Sequence, residues 1–154
     1  MKDLNKKKIN LAGATKLLLD FMFYCGIIVT ATVPISFKFL GKYYPNIGNN
    51  YLSMCIIFML CGLAALWIIY YLRKMFRTVI AEDCFVEENV TALKRMGYAS
   101  FIISIITVIR LFFVVTPATL MIILVFFIAG LFSFVLAQVF AQAVSYKQEN
   151  DFTI

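Results

Sequence analysis

The segment ATLMIILVFFIAGLFSFVLAQVF, residues 118–140, runs 23 residues without one charged side chain. At about 1.5 Å rise per residue it makes a helix of roughly 35 Å, enough to cross a hydrocarbon core of about 30 Å. A segment of this length and composition has one stable home, the bilayer. Working outward from it, three more runs meet the same criterion: residues 17–37, 51–72 and 98–115. The expected fold class is therefore all-α, a polytopic membrane protein of four transmembrane helices with a cytoplasmic helical elbow over residues 73–97, all in one domain spanning 1–154.

Composition agrees. The 154 residues are 63% hydrophobic, 16% aromatic and only 14% charged, against about 25% charged in a soluble domain. A water-soluble globule is excluded. Histidine is absent, which removes the commonest general base and metal ligand. Cys25, Cys55, Cys61 and Cys84 lack paired spacing and read as reduced packing residues. There is no phosphate-binding, zinc-protease or nucleophile-elbow motif. No catalytic residue, cofactor or metal is assigned, and an enzyme is the least favoured class.

Lys2, Lys6, Lys7 and Lys8 precede the first run, as in a secretory signal. The run exceeds a signal h-region of roughly 7–15 residues and holds Asp20, so it reads as an uncleaved anchor. Charge then sets orientation. Eleven of the 14 Lys and Arg residues fall in the N-terminal segment, the middle connection and the tail, leaving Lys38, Lys42 and Arg110 on the other side. By the positive-inside rule both termini and the elbow are expected in the cytoplasm. The outer connections are brief, the second being little more than Thr116-Pro117, with Thr116 placed to cap the fourth helix and Pro117 suited to its first position.

Within 73–97, Leu72, Phe76, Val79 and Ile80 extend the second helix as an amphipathic stretch. Glu82-Asp83-Cys84 interrupts it. A short helix over residues 85–95 is expected next, N-capped by Asp83 and lying along the inner leaflet.

Five intramembrane polar residues are candidate sites: Asp20, Tyr24, Arg110, Gln138 and Gln142. Asp20 lies four residues beyond Lys16, near the interface, with Tyr24 one turn on as a hydrogen-bond donor. Arg110 is expected about 9 Å inside the outer end of its helix, free to snorkel outward or meet a lipid phosphate. Gln138 and Gln142 stack at i and i+4 and suit a bond to another helix or to the elbow. Gly130, Ser133, Ala137, Ala141 and Ser145 on the fourth helix form a stripe of small residues. Gly97, Ser100, Ser104 and Thr107 on the third form another, so close packing is expected within that hairpin or in a homodimer.

The stretches Leu72-Arg73-Lys74, Cys84-Phe85-Val86-Glu87-Glu88-Asn89-Val90 and Leu93-Lys94-Arg95-Met96-Gly97-Tyr98, with the ending Glu149-Asn150-Asp151-Phe152-Thr153-Ile154, carry a resemblance. They resemble a family of small four-helix bacterial integral membrane proteins of unknown function with a Glu-Asn-Asp-x-Thr-Ile terminus. Cys84 departs from the small residue or proline common there. The resemblance implies a bacterial cytoplasmic-membrane protein, often neighboured by a small helix-turn-helix regulator, and no catalytic residues. Because the two matching stretches share one side, Phe85, Asn89 and Leu93 are expected to pack against Glu149, Asn150, Asp151 and Thr153, with Arg95 or Lys94 pairing the acids.

Two functions follow as expectations. The first is a non-enzymatic interaction protein that presents elbow and tail to a cytoplasmic partner such as a transcriptional regulator, without touching nucleic acid itself, while the four helices sense membrane state or a small amphipathic molecule. The second is a small transporter or immunity-type protein with a polar path along a helix interface.

Overall fold

A backbone in hydrocarbon finds no water for its N–H and C=O groups, so an apolar run must satisfy them within itself, as a helix. The computed structural model describes residues 2–43 and 50–151, with side chains over 12–43 and 50–150. Four helices make up the fold: α1 (Lys2–Leu40), α2 (Tyr51–Ile80), α3 (Glu87–Arg110) and α4 (Pro117–Asp151). Each is long and apolar enough to cross a membrane, and no strand occurs among the described residues. The fold class is the one expected from the four apolar runs.

Consecutive helices pack antiparallel: α1 on α2, α2 on α3, α3 on α4, and among the described residues no Cα of α1 comes within 8 Å of one in α4. In the first pair Asp20 meets Arg73, Leu66 lies against Gly26, and Thr30 against Gly62. Tyr51 Oη donates to the Pro34 carbonyl at 3.0 Å near the far end. Pro34 has no N–H to complete the α1 ladder, an interruption that neighbouring helices let a spanning helix tolerate. The helix most enclosed is α3: 50% of its most apolar window is buried, against 22% for α2 and 11% for α1 and α4. On the outer helices Phe21, Ile28, Met121, Val125 and Phe132 stand exposed, the surface a bilayer covers.

Three expectations about α3 are corrected. The short elbow helix and the third span are one helix, unbroken through Gly97. Gly97 is there for packing: a Cβ on it would stand 2.9 Å from the Phe134 ring and 3.3 Å from the Gly130 carbonyl oxygen. The N-cap is Val86, extended at φ −129 and ψ 147 with no side-chain cap bond, and not Asp83, whose carboxylate binds Lys147. The helix also stops at Arg110 rather than continuing to 115. Phe113 and Val114 N–H both bond the Arg110 carbonyl, and Pro117 disfavours helical geometry just ahead of it.

The extension of α2 past Arg73 continues to Ile80 and ends in a paired cap. Glu82 N–H bonds Val79 O at 3.2 Å and Asp83 N–H bonds Thr78 O at 3.1 Å, the two bonds of a Schellman motif. That motif needs a left-handed residue, and Glu82 supplies it at φ 59, a position glycine usually takes. At the opposite end of the bundle Thr116 caps α4, its Oγ1 accepting from Thr119 N–H at 3.3 Å.

The small-residue faces of α3 and α4 meet inside the hairpin. Ser104 Oγ donates to the Ile123 carbonyl at 3.2 Å, Ala137 is buried, and Phe101 stacks on Phe134 with centroids 5.9 Å apart. Ser133 and Ala141 are half-buried and Ser145 is exposed, so the tight seam centres on Gly97, Gly130 and Ala137. Gly97→Val is expected to lower stability by about 2 kcal/mol through overpacking, whereas Ser145→Val should change it by less than about 0.5 kcal/mol. Reversible unfolding in mixed micelles checks both.

Candidate functional site

Polar side chains gather at two places, the elbow end of the bundle and a cavity nearer the opposite end. At the elbow end the apolar run of α2 gives out at Arg73, and α1 presents Asp20 at the same depth. Arg73 Nε donates to Asp20 Oδ1, and its guanidinium lies 4.6 Å from the Phe23 ring centroid and 5.7 Å from that of Tyr24. The partner of Asp20 is thus Arg73. Tyr24 contributes its ring face to the same cation. One helical position on, Lys74 Nζ binds Glu88 Oε1 at 2.6 Å and ties α2 to α3. The third ion pair joins Lys147 Nζ of α4 to Asp83 Oδ1 in the elbow at 2.8 Å. Each pair links a different pair of segments, so the four helices are fastened together at this end by charge.

The hinge of the elbow is Asn89, one of the most deeply buried side chains at 1% exposure. Its Nδ2 donates to Thr78 Oγ1 at 2.6 Å and to the Cys84 carbonyl at 2.8 Å, while Thr78 Oγ1 donates onward to Met75 O at 2.7 Å. One amide therefore holds the end of α2, the elbow chain and the first turn of α3 together. Leu93 is buried beneath it, and Phe85 packs on Phe140 with ring centroids 5.5 Å apart. The ring partner of Phe85 is thus Phe140, ahead of the tail residues it was expected to meet, while Asn89 and Leu93 build the interior of the elbow.

One ion pair joins the elbow to α4. The acid, Asp83, is in the elbow and the base, Lys147, is in α4, whereas Arg95 Nη1 donates to Tyr71 Oη and lies 5.5 Å from that ring. Tyr71 in turn sits in the buried cluster with Ala92 and Met96. Ser145 Oγ donates to Glu149 Oε1 at 3.5 Å, and Glu149 and Asn150 are exposed. Asp151 closes α4, and Thr153 lies outside the described residues. Gln138 and Gln142 are both exposed on α4.

The cavity lies among all four helices and holds about 290 Å³. Its walls are apolar except for Thr30, Thr107, Cys61 and Arg110. Arg110 ends α3 rather than standing inside it, with its guanidinium 4.9 Å from the Phe58 ring centroid. The five intramembrane candidates are thus dispersed: Asp20 and Tyr24 with Arg73, Arg110 alone in the cavity, and the two glutamines on the outside.

A family model described as "Protein of unknown function (DUF2975)" matches residues 35–154. The chain belongs to that family. The match takes in α2, α3, α4 and the end of α1, so Arg73, Asn89, Asp83, Lys147 and Arg110 fall inside the DUF2975 region while Asp20 lies ahead of it. No curated protein matches the chain, and no solved structure does.

Sequence reasoning missed Arg73, Tyr71 and Thr78 as structural anchors. Arg73 carried a detectable signal, being the first charge after the second apolar run just as Asp20 is the last before the first run deepens; antiparallel neighbours bring such positions together. Thr78 and Tyr71 carried none. Asn89→Leu is expected to cost about 1–3 kcal/mol, because it removes the amide donor shared by the Thr78 hydroxyl oxygen and the Cys84 carbonyl, and to speed hydrogen exchange over residues 78–90. Exchange measured by mass spectrometry in nanodiscs checks it.

Proposed function

We propose that this is a non-enzymatic membrane protein of the bacterial cytoplasmic membrane, which presents its elbow as a preformed docking surface to a cytoplasmic protein such as a small helix-turn-helix regulator. The observation that carries the reading is the pinned elbow. Asn89 from within and Lys147 from α4 hold residues 81–86 in one arrangement. The first turns of α3 consequently present a rigid stripe. Glu87, Thr91, Lys94 and Tyr98 recur at helical spacing and are all exposed, while Asn89, Val90, Leu93 and Met96 face inward. A polar face of mixed charge with one aromatic, ordered before any partner arrives, binds without a large ordering cost.

Orientation supports the same side. Eleven of the 14 bases flank the elbow end, which the positive-inside rule puts in the cytoplasm with both termini. Against an enzyme stands the engagement of the carboxylates: Asp20, Asp83 and Glu88 each already hold a base, and the chain has no histidine. Against a polar permeation path stands the dispersal of Asp20, Arg110, Gln138 and Gln142, which share no common wall.

A photoreactive phenylalanine analogue placed at Thr91 or Lys94 in the native host should yield one and the same protein adduct, with none from Leu63 or Val125 on the lipid-facing surface. Asn89→Leu should weaken that adduct severalfold by loosening the stripe. Lipid adducts alone from all four positions would end the docking reading.

A further inference from the structure

Among the described residues, Arg110 carries a buried side-chain donor that nothing in the protein answers. Its Nε is fully buried and meets no hydrogen-bond acceptor. The Phe58 ring and the carbonyl end of α3 favour its positive charge, but neither takes the Nε–H. Nor does the chain hold a carboxylate in reserve. The eight acids are Asp3, Asp20, Glu82, Asp83, Glu87, Glu88, Glu149 and Asp151, so none falls in 21–72 or in 98–140, the stretches that contain this half of the bundle. The other charges there are Lys38 and Lys42, which are also basic. A buried donor left unmade, in a region containing no acid, calls for an anion from outside.

The space beside Arg110 says what kind of anion. The cavity is lined by Val29 and Val33 of α1, Ile57 and Ala65 of α2, Ile103 of α3 and Phe126 of α4, with Arg110 among them. From Arg110 to Ile103 is about 10 Å of helix rise, so the apolar walls run inward from the charge by about a third of the hydrocarbon core. Both α1 and α4 line it, and among the described residues no Cα of one helix comes within 8 Å of the other, so the cavity lies where these two backbones are spaced apart, the side from which a ligand dissolved in the bilayer would enter. Its volume of about 290 Å³ is roughly twice that of an engineered cavity of about 150 Å³ known to take benzene. That suits part of one acyl chain and is too small for the two chains of a phospholipid.

We propose that this cavity binds a long-chain fatty acid as its carboxylate, the head on Arg110 and the first part of the chain between α1 and α4. The planar fork of a guanidinium matches a carboxylate, and a single negative charge balances the single positive one. Lipid tails surround the free ligand with surroundings as apolar as the cavity, so chain burial adds little selectivity. Selection rests on the head group. The site is separate from the elbow and does not depend on any protein partner there.

The test uses the full chain in phosphatidylcholine nanodiscs with a diazirine-bearing palmitate as probe, adducts being mapped by mass spectrometry. Labelling should concentrate on residues 103–110 and 57–65. Oleate should compete at least tenfold better than methyl oleate, which keeps the chain and lacks the charge, and at least tenfold better than dioleoyl phosphatidylglycerol. Arg110→Gln should retain its melting temperature and lose labelling at least tenfold. If that variant fails to fold, Ala65→Phe, which fills the cavity and keeps the cation, must abolish labelling in its place. Labelling spread over the outer faces of α1 and α4, or methyl oleate competing as well as oleate, would overturn the proposal. So would phosphatidylglycerol competing as well as oleate, which would make the cavity a phospholipid site.

Discussion

An ionised side chain inside a bilayer must be answered by another charge, by water or by a ligand, because the cost of leaving it alone exceeds what any single packing contact returns. In this protein Arg73 and Asp20 answer each other, and the register of α1 against α2 follows from that bond together with the fit of Thr30 on Gly62. The same logic repeats toward the elbow, where Lys74 with Glu88 and Lys147 with Asp83 bring α3 and α4 to their neighbours. These last two pairs are half-exposed and individually contribute little; their value lies in specifying which segments meet. Stability in the apolar part comes from packing, and it is greatest at the α3–α4 seam, where Gly97 and Gly130 let two backbones approach.

The two ends of the bundle therefore differ in kind. The elbow end is closed, its charges matched and Asn89 holding three segments through one amide. The opposite half holds no acid, keeps an apolar cavity, and leaves Arg110 with a bare donor. A closed end suits a surface that must keep its shape for a partner. An open, basic end suits an anionic molecule arriving through the lipid.

How much of this could be read from the sequence depends on the scale. Four apolar runs were legible because the bilayer imposes one length and one secondary structure on them. Helix ends were not. Val86 caps α3 without a side-chain bond, Glu82 takes a left-handed position usually reserved for glycine, and Gly97, which looks like a boundary, is mid-helix because α4 needs the space. The polar candidates were found as residues but not as partners. Asp20 was assigned to Lys16 and Tyr24 because they are near in sequence, whereas its counter-ion lies 53 residues away and depends on the pairing of two helices. Gln138 and Gln142 stack at i and i+4 and suited a bond to another helix or to the elbow; they stand exposed, where α4 nears the end of its apolar stretch.

The claim that unites these features is that Arg73 is neutralised within the chain and Arg110 is not. Solid-state NMR of the protein in phosphatidylcholine bilayers, with ¹⁵N-labelled arginine and ¹³C-labelled aspartate and glutamate, measures it through the coupling of each arginine Nε to side-chain carboxyl carbons. The account predicts a close Arg73 to Asp20 coupling, lost in Asp20→Asn, and no coupling from Arg110 Nε to any protein carboxyl carbon. A carboxyl coupling at Arg110, or its absence at Arg73, would contradict it.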